Sequence, residues 1–377
     1  VGATLRSCRN HPAEEAEMHR PVALAAAVLT ALGLLAGCSQ TTAPPETGGS
    51  DPRPISIMTF NVENLFDNQD DPGKDDRTYF PLAMKQNAEH RAACAEIEVE
   101  AWRTQCLDWD WNDDVVERKL SVVAAAILQV NDGAGPDIVA LQEVENIHIL
   151  ERLRKEYLAE AGYREGILID GNDLRGIDVA FLSRLPLVEA PALHPIPFED
   201  ADDRRVADTR GILEATFRLP DGSLLTGYAV HFPAPFHPTE MRISAYEALN
   251  ALKASLPADR AAFAAGDFNT TSAEDAERSM LERFVKPHWT VVHEHCAGCR
   301  GTSYYARDDS WSFLDMLLWS PAERSAHATW RLRENSVRIA NGTRDQVRDD
   351  GTPARFELPE GTGVSDHWPL VFILETE

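Results

Sequence analysis

Five apolar runs in this chain stop at, or start from, a short polar cluster: Asn61, Gln142-Glu143, His231, Asp267 with Asn269, and Ser365-Asp366-His367. Turn-forming tendency accounts for any single strand-terminal Asn or Asp. Five such endings in one chain ask for more, because polar groups fixed at the ends of rigid strands are what a preorganised site requires.

The runs themselves read as strands. Ile55–Val62 alternates with a period of two, and Asp137–Glu143 is a short apolar strand ending in a carboxylate. Further strands are expected at Gly166–Ile169, Ile177–Ser183, Gly211–Leu219, Leu224–Phe232, Arg260–Ala265, Phe313–Trp319, Ala328–Arg333 and Pro369–Leu374. Helical spacing marks Asp114–Val130, Ile147–Ala161 and Glu240–Leu256. Between the first strand and the first of these helices, Asp67–Asp113 is polar, acidic and aromatic, and reads as an insertion of mixed loop and helix. Hairpins mixed with strand–helix units predict α/β sheets packed together in one domain, not a purely parallel doubly wound sheet. With 377 residues, 44% of them hydrophobic, the chain has enough apolar material for a sizeable core, which excludes a disordered polymer.

Ahead of the domain, Met18-His-Arg-Pro is followed by an apolar stretch, Val22–Leu35, and by Ala36-Gly37-Cys38, the order of a secretory signal. The ending Leu35-Ala36-Gly37-Cys38 resembles a bacterial lipoprotein box. The expectation is a signal peptide at 18–37, a lipidated Cys38 opening a flexible tether at 38–53, and a domain at 54–377 exported from a bacterial cell and anchored to a membrane. Residues 1–17 read as an over-extended start. Outside this region no apolar run reaches the roughly 20 residues that cross a bilayer.

Lys and Arg number 36 against 61 Asp and Glu, a formal charge of -25. Residues 1–37 carry Arg6, Arg9 and Arg20 against Glu14, Glu15 and Glu17, so the whole excess belongs to residues 38–377. Such a surface excludes a coat protein for nucleic acid, although transient cleavage of a metal-screened polyanion remains open. Cys94, Cys106, Cys296 and Cys299 are an even set in an exported domain, and local pairing, Cys94 with Cys106 and Cys296 with Cys299, is the simplest of three connectivities.

Chemically the polar clusters are carboxylates and amides with two histidines, without a nucleophile elbow, a Gly-rich phosphate loop or zinc spacing. Hard oxygen ligands select Mg²⁺, Mn²⁺ or Ca²⁺. A His-Asp pair beside such a metal points to hydrolysis of a phosphate ester.

At these residues the chain resembles the endonuclease/exonuclease/phosphatase superfamily. The motifs are Thr59-Phe60-Asn61-Val62-Glu63-Asn64, Leu141-Gln142-Glu143, Arg175-Gly176-Ile177-Asp178-Val179-Ala180, Val230-His231-Phe232, Gly266-Asp267-Phe268-Asn269, Phe313-Leu314-Asp315 and Ser365-Asp366-His367-Trp368-Pro369. The resemblance implies a four-layered α/β sandwich of two packed mixed β-sheets flanked by helices. It also implies that Glu143 is the principal metal ligand, Mg²⁺ first, helped by Asn61 and Asp366. Asp267 and Asn269 would place the attacking water and the scissile phosphate. His367 would be the catalytic histidine, oriented by Asp315, and His231 a second histidine for phosphate or leaving group. Arg175 and Arg210 are candidate phosphate contacts, whereas Asp178 reads as a strand-end or supporting residue.

The substrate expected first is a nuclease-like phosphodiester, nucleic acid or a small diester, cleaved by a monomer. A lipid-headgroup or inositol-phosphate esterase is the alternative. A surface binding module that has lost activity is a second alternative.

Overall fold

The structure is a computed structural model that describes residues 52–198 and 201–377. The leader at 18–37, the stretch before it, and Cys38 with all but the last two residues of its tether lie outside the described residues. Among the described residues no helix is long and apolar enough to cross a membrane.

Period-two alternation builds the frame. Strands β1 (Ile55–Leu65), β2 (Ile138–Val144), β3 (Ile167–Leu168) and β4 (Asp178–Ser183) belong to a seven-stranded sheet. Strands β5 (Ala192–His194), β6 (Ile212–Arg218), β7 (Leu224–His231), β8 (Ala261–Asp267) and β9 (Thr290–Val291) belong to a six-stranded one. A hairpin of β10 (Ser303–Tyr305) and β11 (Ser310–Ser312) stands apart. Then β12 (Asp315–Ser320) joins the second sheet, while β13 (Trp330–Leu332), β14 (Arg338–Ile339) and β15 (Leu370–Thr376) return to the first. The orders are β13-β15-β1-β2-β4-β3, with β14 also on β15, and β5-β6-β7-β8-β12-β9. Strands β1 and β2 run parallel, as do β7 and β8, beside antiparallel neighbours, so both sheets are mixed.

Helices α1 (Ala88–Ala95) and α2 (Glu100–Asp108) lie in the insertion, tied by a Cys94–Cys106 disulfide; Cys296 and Cys299 form a second one. Next comes α3 (Asp113–Leu128), whose start is fixed by the Asn112 side chain accepting from Val115 N at 3.1 Å, with Asp113 and Asp114 in the first turn. Its Val116, Leu120, Val123 and Ile127, spaced four, three and four, pack with α4 (Ile147–Arg152) on the outer face of the first sheet. After the short α5 (Asp203–Val206), α6 (Thr239–Ala254) lays Ala245, Tyr246 and Leu249 on the outer face of the second sheet, and α7 (Ser272–Arg278) follows β8. Between the sheets, Ile55 and Ile57 of β1 and Phe181 of β4 meet Phe217, Ala229, Phe263 and Leu317. Burying each such large apolar side chain is worth about 2–3 kcal/mol. The layers run helix, sheet, sheet, helix: the four-layered α/β sandwich.

One element departs from its expected span. The helix read over Ile147–Ala161 keeps α geometry only to Arg152, then widens into a π turn at Leu153–Tyr157 and a 3-10 turn at Ala159–Ala161. Leu153 and Leu158 are both buried, and five residues of α-helix would point them to different sides. The wide turn, closed by Leu158 N donating to Leu153 O at 3.1 Å, keeps both in the core.

Candidate active site

The alternation that fills the inter-sheet core also places the polar residues. Ile55 and Ile57 face the second sheet, and Asn61 lies at the same parity on β1. Phe263 and Ala265 lead in the same way to Asp267, Ala229 to His231, and Trp319 and Leu317 back to Asp315. In register, His231 is opposite Asp267 and Asp267 opposite Asp315, so three neighbouring strands end in one polar row. Close approach is needed here: a Cβ on Gly266 would lie 1.9 Å from Val230 O.

Glu143 breaks the parity rule. Val139 and Leu141 face the helices, and strict alternation would send Glu143 after them. A bulge between Gln142 and Val144, with Glu143 at φ 64°, turns it instead. Its Oε1 accepts from Asn61 Nδ2 at 3.2 Å and its Oε2 from Asn64 N at 3.0 Å. The same Asn61 amide donates to Asp267 Oδ2 at 3.1 Å, bridging a carboxylate of each sheet, while Asn61 Oδ1 accepts from Glu63 N at 3.0 Å. Asn61 thus positions both carboxylates.

Around this bridge lie the histidines. His231 Nε2 is 3.6 Å from Asp267 Oδ2 and 4.0 Å from Glu143 Oε1. Burial, with Arg210 and Arg175 nearby, holds His231 well below the ordinary imidazole value, so it is neutral. His367 Nδ1 shares a 2.6 Å hydrogen bond with Asp315 Oδ2, and Nε2 points within 3.9 Å of both Asp267 and Asp366. Burial alone would lower the His367 pKa, but Asp315, Asp267 and Asp366 outweigh it and hold the ring well above its usual value, as imidazolium. Burial pushes Asp267 up to about 7, against the pull of His367. Asn269, at φ 50°, gives its Nδ2 to Phe232 O at 3.0 Å and its backbone N to Asp267 Oδ1 at 2.8 Å.

The other candidates are placed less centrally. Asp366 is on the rim, with Oδ2 3.6 Å from the Arg355 guanidinium. Arg210 is buried 3.0 Å from Asp173, and Arg175, half exposed, is 3.7 Å from Asp173 and from Asp208; both charges are already matched by carboxylates. Asp178 accepts from Gly171 N at 2.9 Å, a supporting contact, and burial pushes its carboxyl up to about 7. The insertion reaches the site's edge through Tyr79, stacked on Phe66 at 3.8 Å and close enough to feel the Glu143 charge.

A bracing layer went unread in the sequence. Glu63 Oε1 accepts from Arg355 Nε at 2.6 Å and Oε2 from the Asp366 and Phe356 backbone at 3.1 and 3.2 Å. Lys119 Nζ, on α3, donates to Val364 O at 2.7 Å. Together they hold the loop that carries Asp366 and His367. Glu63 stood in view within a motif, but its partner Arg355 is 292 residues along.

The donor set fits a hard divalent cation: part-buried Glu143 and rim Asp366 offer carboxylate oxygens, and atoms of Asp267, Asp315 and His367 lie within 4.8 Å of one another. A four-layered sandwich with carboxylates, amides and a His–Asp pair at one end of its sheets is the architecture of the endonuclease/exonuclease/phosphatase fold. The chain belongs to the endonuclease/exonuclease/phosphatase family, whose profile matches residues 58–367. Members hydrolyse phosphodiester bonds and typically depend on divalent metal. No curated protein matches. Among solved structures, a humanised Danio rerio TDP2 with 14 mutations shares 15% identity at a TM-score of 0.53, covering 86% of this chain and 99% of that one. An endonuclease/exonuclease/phosphatase family protein from Bacteroides thetaiotaomicron shares 17% at 0.52, covering 87% and 100%. One from Beutenbergia cavernae shares 16% at 0.51, covering 86% and 72%. At these identities the likeness is one of fold.

Proposed function

We propose that this chain is a divalent-metal-dependent phosphodiesterase of nuclease-like type, exported and held to a membrane through Cys38. The observation that carries the activity is the convergence of Asn61, Glu143, His231, Asp267 and the Asp315–His367 pair at one end of the sandwich. The export rests on the leader and its terminal Cys38, and incorporation of labelled fatty acid that survives in Cys38→Ala would refute the anchor.

Glu143, aligned by Asn61, and Asp366 would hold Mg²⁺, with Mn²⁺ or Ca²⁺ suiting the same oxygens; the ion would supply charge neutralisation at the phosphate. Asp267, near neutral in pKa, takes a proton from the attacking water as its oxygen bonds to phosphorus and the ester P–O bond breaks. Asn269 fixes the Asp267 carboxylate through its backbone N. His367, held cationic by Asp315, offers Nε2–H to the oxygen on which charge accumulates. Neutral His231 donates to phosphate or leaving group. Arg175, the more exposed of the two arginines, steadies a neighbouring phosphate.

The test is hydrolysis of bis-p-nitrophenyl phosphate with Mg²⁺, followed by DNA, RNA, sphingomyelin and inositol phosphates. Cleavage that stops with EDTA and is lost in His367→Ala, whose melting curve still shows a folded protein, supports the reading. EDTA-resistant cleavage or full activity in that variant overturns it. Turnover confined to inositol phosphates replaces the nuclease-like substrate.

A further inference from the structure

His231 closes β7, and the chain then runs Phe232-Pro-Ala-Pro-Phe-His-Pro238 into α6. Three of these seven residues are prolines, which have no N–H to give, so the loop holds few donors for its own carbonyls. One turn closes within it, His237 N donating to Ala234 O at 2.9 Å. A second loop, Phe268–Thr271, carries Asn269 from β8 to α7.

One buried ion pair ties the two loops together. Arg242, near the start of α6, and Glu274 of α7 have side chains 3% and 11% exposed. The guanidinium meets the carboxylate as a fork, Nε donating to Oε2 at 2.8 Å and Nη2 to Oε1 at 2.5 Å. Its third nitrogen, Nη1, collects the carbonyls of Ala234, Pro233 and His237 at 2.8, 3.2 and 3.3 Å. One side chain thus supplies the donors that the prolines withhold. Thr239, Arg242 and Tyr246, spaced three and four, share a face of α6. Thr239 Oγ1 donates to Glu274 Oε1 at 2.6 Å, and the Tyr246 and Thr270 hydroxyls share a 2.9 Å bond. The segments so joined border two bonds of the site, Asn269 Nδ2 to Phe232 O at 3.0 Å and Asn269 N to Asp267 Oδ1 at 2.8 Å.

We propose that Arg242 and Glu274 are positioning residues for the reaction: the pair locks the loop after His231 to the helix after Asn269, and so sets where Asn269 and, through it, the Asp267 carboxylate stand. This rests on the hydrolysis proposed above. A shift of about 1 Å between the loops breaks the bond from Asn269 to Phe232 while β7 and β8 keep their ladder, and misplacement of that size costs on the order of 100-fold in turnover. Lys at position 242 would keep the charge but not the fork, and could not hold the carboxylate and three carbonyls at once.

The experiment compares kcat and KM of the full chain on bis-p-nitrophenyl phosphate with Mg²⁺ for Arg242→Lys, Glu274→Gln and their double variant, at a temperature where circular dichroism shows each folded. Each single variant is expected to lose on the order of 100-fold in kcat with KM within about threefold, and the double variant is no slower than either. Asn250→Ala, further along α6, serves as the control: it removes bonds to Trp289 Nε1 and Phe284 O, at 2.9 and 2.7 Å, lowers stability without touching either loop, and keeps the wild-type kcat. Deuterium exchange read by mass spectrometry needs no turnover, and the amides of Ala234, Phe236 and His237 are expected to exchange about tenfold faster in both single variants than in Asn250→Ala. If one single variant fails to fold the other decides, and if both fail Thr239→Val, which takes one donor from Glu274, decides in the same two readouts. An unchanged kcat, a loss shared equally by Asn250→Ala, or loop exchange that stays at the wild-type rate overturns the proposal. A wild type that cleaves no phosphodiester ends the proposed function instead, and loop exchange alone then judges the lock.

Discussion

Replacing Asp315 by Asn is the sharpest probe of the proposed chemistry, because it removes one charge and leaves the shape. Asp315 is fully buried, and its 2.6 Å bond to His367 Nδ1 is a charge-assisted one. Asn Oδ1 can still accept from that nitrogen, so the loss is the electrostatic part, about 3 kcal/mol for a buried charged partner. If His367 must be cationic as phosphorus is attacked, most of that loss falls on the transition state, on the order of 100-fold in kcat with KM little changed. The pH dependence has a definite sign. Burial is the largest influence on His367 and lowers its pKa; with Asp315 neutral less opposes it, so the ring loses its proton sooner as pH rises. The basic limb of the kcat profile therefore moves to lower pH in Asp315→Asn. The assay is kcat on bis-p-nitrophenyl phosphate from pH 5 to 9, for both single variants and for Asp315→Asn with His367→Ala. The two residues act as a unit, so the double variant is no slower than His367→Ala alone. A kcat within threefold of wild type, or effects that multiply, would refute the reasoning.

Two further substitutions test the frame. Gly266→Ala forces a methyl to 1.9 Å from Val230 O between parallel strands β7 and β8, and is expected to lower stability by about 3 kcal/mol or more in urea unfolding; an unchanged midpoint would show that the strands separate freely. His293 is buried against Phe313, with ring centroids 4.4 Å apart, and burial with Lys286 lowers its pKa to about 4 from 6.5. The fold prefers the neutral ring, so this contribution is complete above pH 6.5 and falls away toward pH 4, by about 3 kcal/mol in all. Melting temperature measured across that window is expected to decline more steeply in wild type than in His293→Leu, and parallel declines would remove the residue from the account.

Legibility in the sequence followed the physics of each element. β1, β4 and β6 to β8 run for six residues or more and are buried on both faces along most of their length, so they stand out in the sequence as apolar runs. β5, β9 and β14, of two or three residues at sheet edges or on β15, are too short to carry any period and are held by their neighbours. The site's constituents were visible because polar residues interrupt apolar runs. The face on which Glu143 stands was not visible, since a left-handed residue reverses what alternation says. Nor were the matched charges around Arg175 and Arg210, which depend on Asp173 and Asp208 from loops without pattern.

The Asn61 amide that joins Glu143 of one sheet to Asp267 of the other makes activity a gauge of how the sheets are docked. Neither half of the sandwich owns a complete set of reacting groups: β1 and β2 supply Asn61 and Glu143, β7, β8 and β12 supply His231, Asp267 and Asp315, and Asp366 and His367 arrive on the segment leading to β15. Sliding or parting of the sheets by an ångström or two separates these groups while each sheet keeps its own hydrogen bonds. Turnover would then fall before circular dichroism registers any loss of strand, and pressure or mild denaturant would silence the enzyme at the seam first.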